Sequence, residues 1–206
     1  MTTTDHRDFN QAALTWDASP TRMQLASDVS NAMLCRFTPH AGLRVLDFGC
    51  GTGLLSLPWA HRIARLIGAD SAQGMLDVFS AKAAAHGLTN VCTLHLDLEK
   101  GDQLGGPYDL IVSSMTLHHI RDTAALFAHF YAALAPAGQL CLADLDPDGG
   151  LFHADNTGVH HFGFERETLR QLLLDCGFVD VQTGMAAKVH KGERTFSIFL
   201  VSARKP

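Results

Sequence analysis

An α/β fold, an open and mostly parallel sheet with helices on both faces, is predicted by three features of this sequence. Residues 43–57 pass from an apolar stretch (43–46) through Asp47 to glycines at Gly49, Gly51 and Gly53, after which Leu54, Leu55, Leu57 and Trp59 resume an apolar pattern. That reads as strand, tight turn, helix, the ligand-binding corner of an open α/β sheet. Further short apolar runs at 65–69, 91–96, 108–114 and 139–145 alternate with segments of helical character. The two runs that follow the glycines lead into Asp70 and Asp97, as the first leads into Asp47.

With 206 residues the chain suits one domain, which at this size buries about 70% of its unfolded surface. Apolar residues make up 47% and charged residues 18%, a balance that excludes a disordered chain. The formal charge of −5 comes without clustered Lys and Arg, which argues against a nucleic-acid partner. Five widely spaced cysteines (Cys35, Cys50, Cys92, Cys141, Cys176) form no C-x-x-C pair and read as reduced thiols. The polar start, MTTTDHRDF, has no apolar core, and no apolar run reaches membrane-spanning length. A cytoplasmic location with no membrane partner is the expectation.

In chain order, 8–37 read as two helices broken at Ser19-Pro20, with Phe9, Ala12, Ala13 and Trp16 on one and Met23, Ala26, Val29, Ala32 and Met33 on the other. At the corner, glycine permits positive φ and a close backbone approach, and helix-start N–H groups favour an acceptor-rich ligand group. The spacing is G-x-G-x-G, with Leu54 where a dinucleotide fingerprint would carry its third glycine. Asp47 precedes the glycines, and no Lys or Arg lies between it and His61. A carboxylate there repels a pyrophosphate and welcomes an ammonium or sulfonium group.

These residues resemble motif I of the class I S-adenosylmethionine-dependent methyltransferases, in the small-molecule branch. The resemblance implies a Rossmann-like, seven-stranded sheet in the order 3-2-1-4-5-7-6 with the last strand antiparallel. It implies S-adenosylmethionine as cofactor, S-adenosylhomocysteine as product, and cofactor contacts from Asp47, Gly49, Cys50, Gly51 and Gly53. The segment around Trp16 and Asp17 would then cover the cofactor or meet the substrate.

The second strand (65–69) ends at Asp70, about 20 residues beyond the glycines, where Rossmann-type folds place an acid on ribose hydroxyls. A helix over 72–86 closes at Gly87, and the third strand (91–96) leads to Asp97 and Leu98, which by the same resemblance read the adenine. The fourth strand, 108–114, has the unbroken apolar character of a central strand and adjoins the first at the switch point. Ser114 at its end is a cofactor neighbour by resemblance. After it come His118 and His119, where an acceptor would lie. Histidine takes a proton near pH 7, so these two are the candidate general bases, with one of them expected to face the pocket.

A helix over 123–135, a turn at 136–138 and a fifth strand at 139–145 lead to Asp144, Asp146 and Asp148. Residues 146–164 lack periodicity and hold His153, His160 and His161, candidate substrate contacts on a lid or loop. Their spacing with the three aspartates matches no compact ligand motif, so no metal is expected. A helix over 165–176 and strands at 178–183 and 194–202 form a terminal hairpin. The whole chain, 1–206, reads as one domain: a helical cap (1–37), a cofactor-binding core (42–145), a candidate substrate loop (146–164) and the last helix with its hairpin (165–206).

The function expected is methyl transfer to a small-molecule acceptor by in-line displacement, a reaction carried largely by positioning. Two alternatives remain open at this point: an NAD-dependent oxidoreductase, and a cofactor-binding protein that catalyses nothing.

Overall fold

A computed structural model describes residues 8–206, the side chain of Glu99 excepted. Residues 1–7, the start of the expected cap and most of the polar leader, lie outside the described residues. Seven strands form one sheet: β1 (Arg44–Phe48), β2 (Arg65–Asp70), β3 (Val91–His95), β4 (Tyr108–Ser114), β5 (Leu134–Leu145), β6 (Val179–Lys191) and β7 (Arg194–Arg204). Their order is β3-β2-β1-β4-β5-β7-β6. The first five run parallel, and β7 is antiparallel to both β5 and β6.

The apolar runs of the central strands follow from burial on both faces. Leu110 and Val112 of β4 join one apolar cluster with Val45, and Ile111 joins the other with Leu46. Helices α1 (Phe9–Trp16), α2 (Pro20–Leu34) and α3 (Gln73–Ala85) serve the first side, α4 (Thr123–Ala133) and α5 (Arg166–Asp175) the second. Five phenylalanines, Phe79, Phe127, Phe130, Phe178 and Phe199, are among the largest fully buried side chains. Each such burial contributes roughly 1.5–3 kcal/mol.

Three expectations are corrected. No α-helix follows the glycines: residues 51–56 are turns and Leu57–Arg62 is a 3-10 helix. Pro58 has no N–H to offer Leu54, and the Leu55 carbonyl accepts from Ser30 Oγ on α2 at 3.0 Å. The fifth strand starts earlier than 139, because Leu134 pairs with Tyr108 before the register shifts and resumes at Gln139 with Leu110; the turn residues sit inside that irregularity. The hairpin strands are also longer. Polar residues such as Gln182, Lys188 and His190 along the exposed edge strand β6 hide its period.

Candidate active site at the carboxyl ends of the strands

The glycine turn joins β1 to the 3-10 helix. Gly49 (φ 68°) lies where a Cβ would come within 2.2 Å of Thr116 Oγ1, and a Cβ on Gly53 would strike Leu57 and Phe79. Those two glycines make room for protein. Gly51 (φ 51°) has only Met75 Sδ, 4.0 Å away, beyond its would-be Cβ, so this turn position opens onto space a ligand can use. Its N–H donates to Asp70 Oδ2 at 2.9 Å, so that donor, expected to face a ligand, is engaged by protein.

Asp47, Asp70 and Asp97 come together at the same ends of adjacent strands, as the registers Phe48 to Ala69 and Asp70 to His95 require. Asp47 is 1% exposed and accepts from Ser56 Oγ at 2.5 Å, and its Oδ1 has no hydrogen-bond partner among the described residues. Burial pushes its carboxyl up to about 7, against the Ser56 hydrogen bond and with help from the Asp70 charge. Burial also raises Asp70, while backbone N–H donation from Ala72 and Gly51 opposes it. The buried Cys50 thiol is held well above its ordinary range by burial and by Asp47 and Asp70, which leaves it unreactive. Asp97 pairs with Lys100 at 2.9 Å, and its own N–H donates to Asp102. Leu98 begins a short 3-10 turn and packs on the second apolar cluster.

Helix α1 is tied to α3 and to the glycine turn. Asn10 Oδ1 accepts from Gly74 N, and Asp17 receives both Thr52 Oγ1 (2.5 Å) and Lys82 Nζ (2.7 Å). The Phe9 ring packs edge-on to His119 with centroids 5.3 Å apart, and Trp16 carries Arg22 over its face at 4.1 Å. The first helix therefore spans from the glycine turn to the histidines that follow β4.

Those histidines sit on a 3-10 turn, Leu117–His119, after Met115 takes a positive φ of 56°. His118 is 1% exposed, with Nδ1 2.7 Å from the fully buried Asp144 and Nε2 3.1 Å from His153 Nε2. His119 Nδ1 lies 2.6 Å from the Gly158 carbonyl. The two rings lie side by side, 4.2 Å centre to centre, with His153 5.0 and 5.9 Å away. The N–H groups of His160 and His161 both donate to the His118 carbonyl, and the His161 ring turns to the Ile120 carbonyl at 2.8 Å. His160 and His161 thus fasten the 146–164 loop beneath the cluster, while His153 enters it.

The three expected exit carboxylates part company. Asp144 serves His118, Asp146 pairs with Arg166, and Asp148 accepts from Gly150 and Phe152 N–H groups to fold the loop. Sequence reasoning missed the Asp144 to His118 link, whose signal was a carboxylate set inside the apolar run 140–145. It also missed Ser56, Thr116 and Asn10, for which nothing in the local pattern speaks. Ser114 ends β4 half-buried, its carbonyl accepting from Thr116 Oγ1. Among the described residues no helix is long and apolar enough to cross a membrane.

Residues 45–138 match the family described as "Methyltransferase domain". An uncharacterized methyltransferase of Schizosaccharomyces pombe is 31% identical over 166 residues, covering 73% of this chain and 58% of the relative. A ubiquinone biosynthesis O-methyltransferase of Ruegeria pomeroyi is 36% identical over 104 residues, 50% of this chain and 42% of its own. The chain thus spans about half the length of the curated relatives it matches. Haemonchus contortus phosphoethanolamine N-methyltransferase 2, solved in complex with S-adenosyl-L-methionine, superposes with a TM-score of 0.72 at 17% identity, over 97% of this chain and 60% of that one; this likeness shows the fold. Matched sequence, strand order and glycine corner agree: residues 45–138 match a methyltransferase domain, and the chain carries the Rossmann-like fold of the solved S-adenosylmethionine-dependent methyltransferases.

Proposed function

We propose that the chain transfers a methyl group from S-adenosylmethionine to a small-molecule acceptor, leaving S-adenosylhomocysteine. One observation carries the reading: three carboxylates, Asp47, Asp70 and Asp97, stand at the ends of three adjacent parallel strands around a glycine turn without Lys or Arg. That setting suits a cationic nucleoside and repels a diphosphate. The residues fit the cofactor in detail. The unpartnered Asp47 Oδ1 offers an acceptor beneath the turn, and Gly51 leaves open space beside it. Asp70 accepts backbone N–H groups from Gly51 and Ala72 on opposite oxygens and a further one from Ser71, and its partly exposed carboxylate is placed to accept from ribose hydroxyls as well. Asp97 and Leu98 meet the adenine, Gly49, Cys50 and Gly53 shape the turn, and Ser114 borders it from β4.

The cofactor supplies an electrophilic methyl group on a sulfonium. The chain's own part is to hold, orient and enclose. Helix α1, with Trp16 and the Asp17 ties to Thr52 and Lys82, covers the site and excludes water. The acceptor lies against His118 and His119, with the 146–164 loop, His153 foremost and His160 and His161 behind, as its far wall. Asp144 and the Gly158 carbonyl fix the Nδ1 protons of His118 and His119, so Nε2 is the nitrogen that receives a proton from the acceptor.

The O-methyltransferase relative supports a hydroxyl-bearing small molecule as acceptor. Residues 1–206 act as one methyltransferase domain in this reading, and the five unpaired thiols support a cytoplasmic location. Thermal-shift titration is the test. S-adenosylhomocysteine should raise the melting temperature and NAD should not; stabilisation by NAD alone would overturn the proposal in favour of an oxidoreductase.

A further inference from the structure

His118, His119 and His153 each bring one ring nitrogen to within 4.8 Å of the other two. The surrounding hydrogen bonds identify the nitrogens. A carbonyl or carboxylate only accepts, so His118 Nδ1, facing Asp144 Oδ1 at 2.7 Å, and His119 Nδ1, facing Gly158 O at 2.6 Å, both carry protons. In the neutral rings Nε2 then bears the lone pair. His118 Nε2 and His153 Nε2 are 3.1 Å apart, close to the roughly 3.3 Å between two nitrogens bound to one tetrahedral ion at about 2.0–2.1 Å. That distance suits a hydrogen bond from one ring to the other, and it equally suits a cation bound by both.

We propose that His118, His119 and His153 bind a single divalent transition-metal ion of the zinc class through their Nε2 atoms. An all-imidazole set selects such an ion over magnesium or calcium, which take oxygen ligands. Asp144 is the positioning residue. Fully buried, it accepts from His118 Nδ1 and from the N–H groups of Leu145 (2.7 Å) and His118 (3.4 Å), and so fixes the ring and raises its basicity as carboxylates do behind metal-bound imidazoles. Three imidazoles leave one tetrahedral position open, the pattern of sites that take water or substrate. If the methyl-transfer reading holds, on which this part rests, that position would receive the acceptor's oxygen or sulfur, the ion would lower the acceptor's pKa so that its proton leaves to water before the methyl group is transferred, and the histidines act as ligands in place of bases. Chain spacing hides the set, because an adjacent pair after β4 joins a third member from a loop beyond β5.

The full chain, stripped with chelator and reconstituted with Zn²⁺, should hold about one ion per chain by elemental analysis, and the Co²⁺ form should show the visible absorption of a tetrahedral site. His153→Ala and His119→Ala, at half-buried positions, should each abolish stoichiometric uptake, while His190→Ala on β6 should retain it. Asp144→Asn should weaken binding roughly 10–100-fold. Failure of the parent chain to take up either ion, or undiminished uptake by both His153→Ala and His119→Ala, overturns the site. Calorimetry with S-adenosylhomocysteine on the same samples separates the two ideas. Cofactor binding without metal uptake overturns the metal site alone, and metal uptake without cofactor binding overturns the methyl-transfer reading and leaves the site standing.

Discussion

The two sides of the switch point are built by different rules. On the β1 to β3 side each contributor is a carboxylate at or just beyond its own strand's end, held by its own neighbourhood: Asp47 by Ser56, Asp70 by Ala72 and Gly51, Asp97 by Lys100. On the β4 and β5 side the contributors are imidazole rings from separate segments, locked to a buried carboxylate on β5 and to loop carbonyls. The first side collects negative charge and suits a cation already formed. The second collects lone pairs and takes up a proton or a metal ion. Strand ends read one at a time are enough for the first, and only packing between distant segments assembles the second.

The contact between the sides is where the comparison breaks most sharply. Gly49→Ala would drive a Cβ to 2.2 Å from Thr116 Oγ1 at a positive φ, pushing the turn off the segment that carries the histidines. Overpacking together with left-handed strain should cost about 4 kcal/mol. Urea unfolding should show the loss, and cofactor affinity should fall with it.

On the acidic side, pH is the lever. The folded protein holds the Asp47 proton up to about pH 7, whereas the unfolded chain releases it near 4. The contribution of this group to folding is therefore largest at low pH and should fall by about 4 kcal/mol as pH rises through that interval. Asp47→Asn should flatten the slope of the urea midpoint against pH, and a parent chain with no such slope would remove Asp47 from the account.

On the imidazole side, His118→Ala leaves Asp144 buried without its partner and should cost roughly 3 kcal/mol. His119→Ala, at a half-buried ring, should cost about 1 kcal/mol or less. Melting temperatures of the two variants should separate accordingly, and equal values would mean that the buried pair carries no special weight.

A modest effect on affinity sharpens the comparison. Asp70→Ala should weaken S-adenosylhomocysteine binding about tenfold in calorimetry, and it should also lower stability by about 1–2 kcal/mol, because the Gly51 and Ala72 N–H groups lose their acceptor. Unchanged affinity would take Asp70 out of the site.

The sheet was legible because its period is local. Runs such as 108–114 can be covered only in a central strand, and each apolar run on the acidic side (43–46, 65–69, 91–96) is followed directly by its carboxylate. What followed the glycines was not legible. The apolar spacing of Leu54, Leu55, Leu57 and Trp59 reads as helix, yet a carbonyl claimed by Ser30 from α2 and the missing N–H of Pro58 make it turns and a 3-10 helix.

By itself the sequence determined where the parallel strands lie, the glycine corner and the acidic rim, since strand ends and turns follow from period, glycine and charge along a few residues; the strand order came with the family resemblance. The tertiary structure alone decided that Asp144 stands behind His118, that His153 and not His160 or His161 enters the cluster, and that two of the three glycines make room for protein. Those outcomes depend on which distant segments meet, and meeting is set by burial of apolar faces across the sheet, a property that no short window of residues contains.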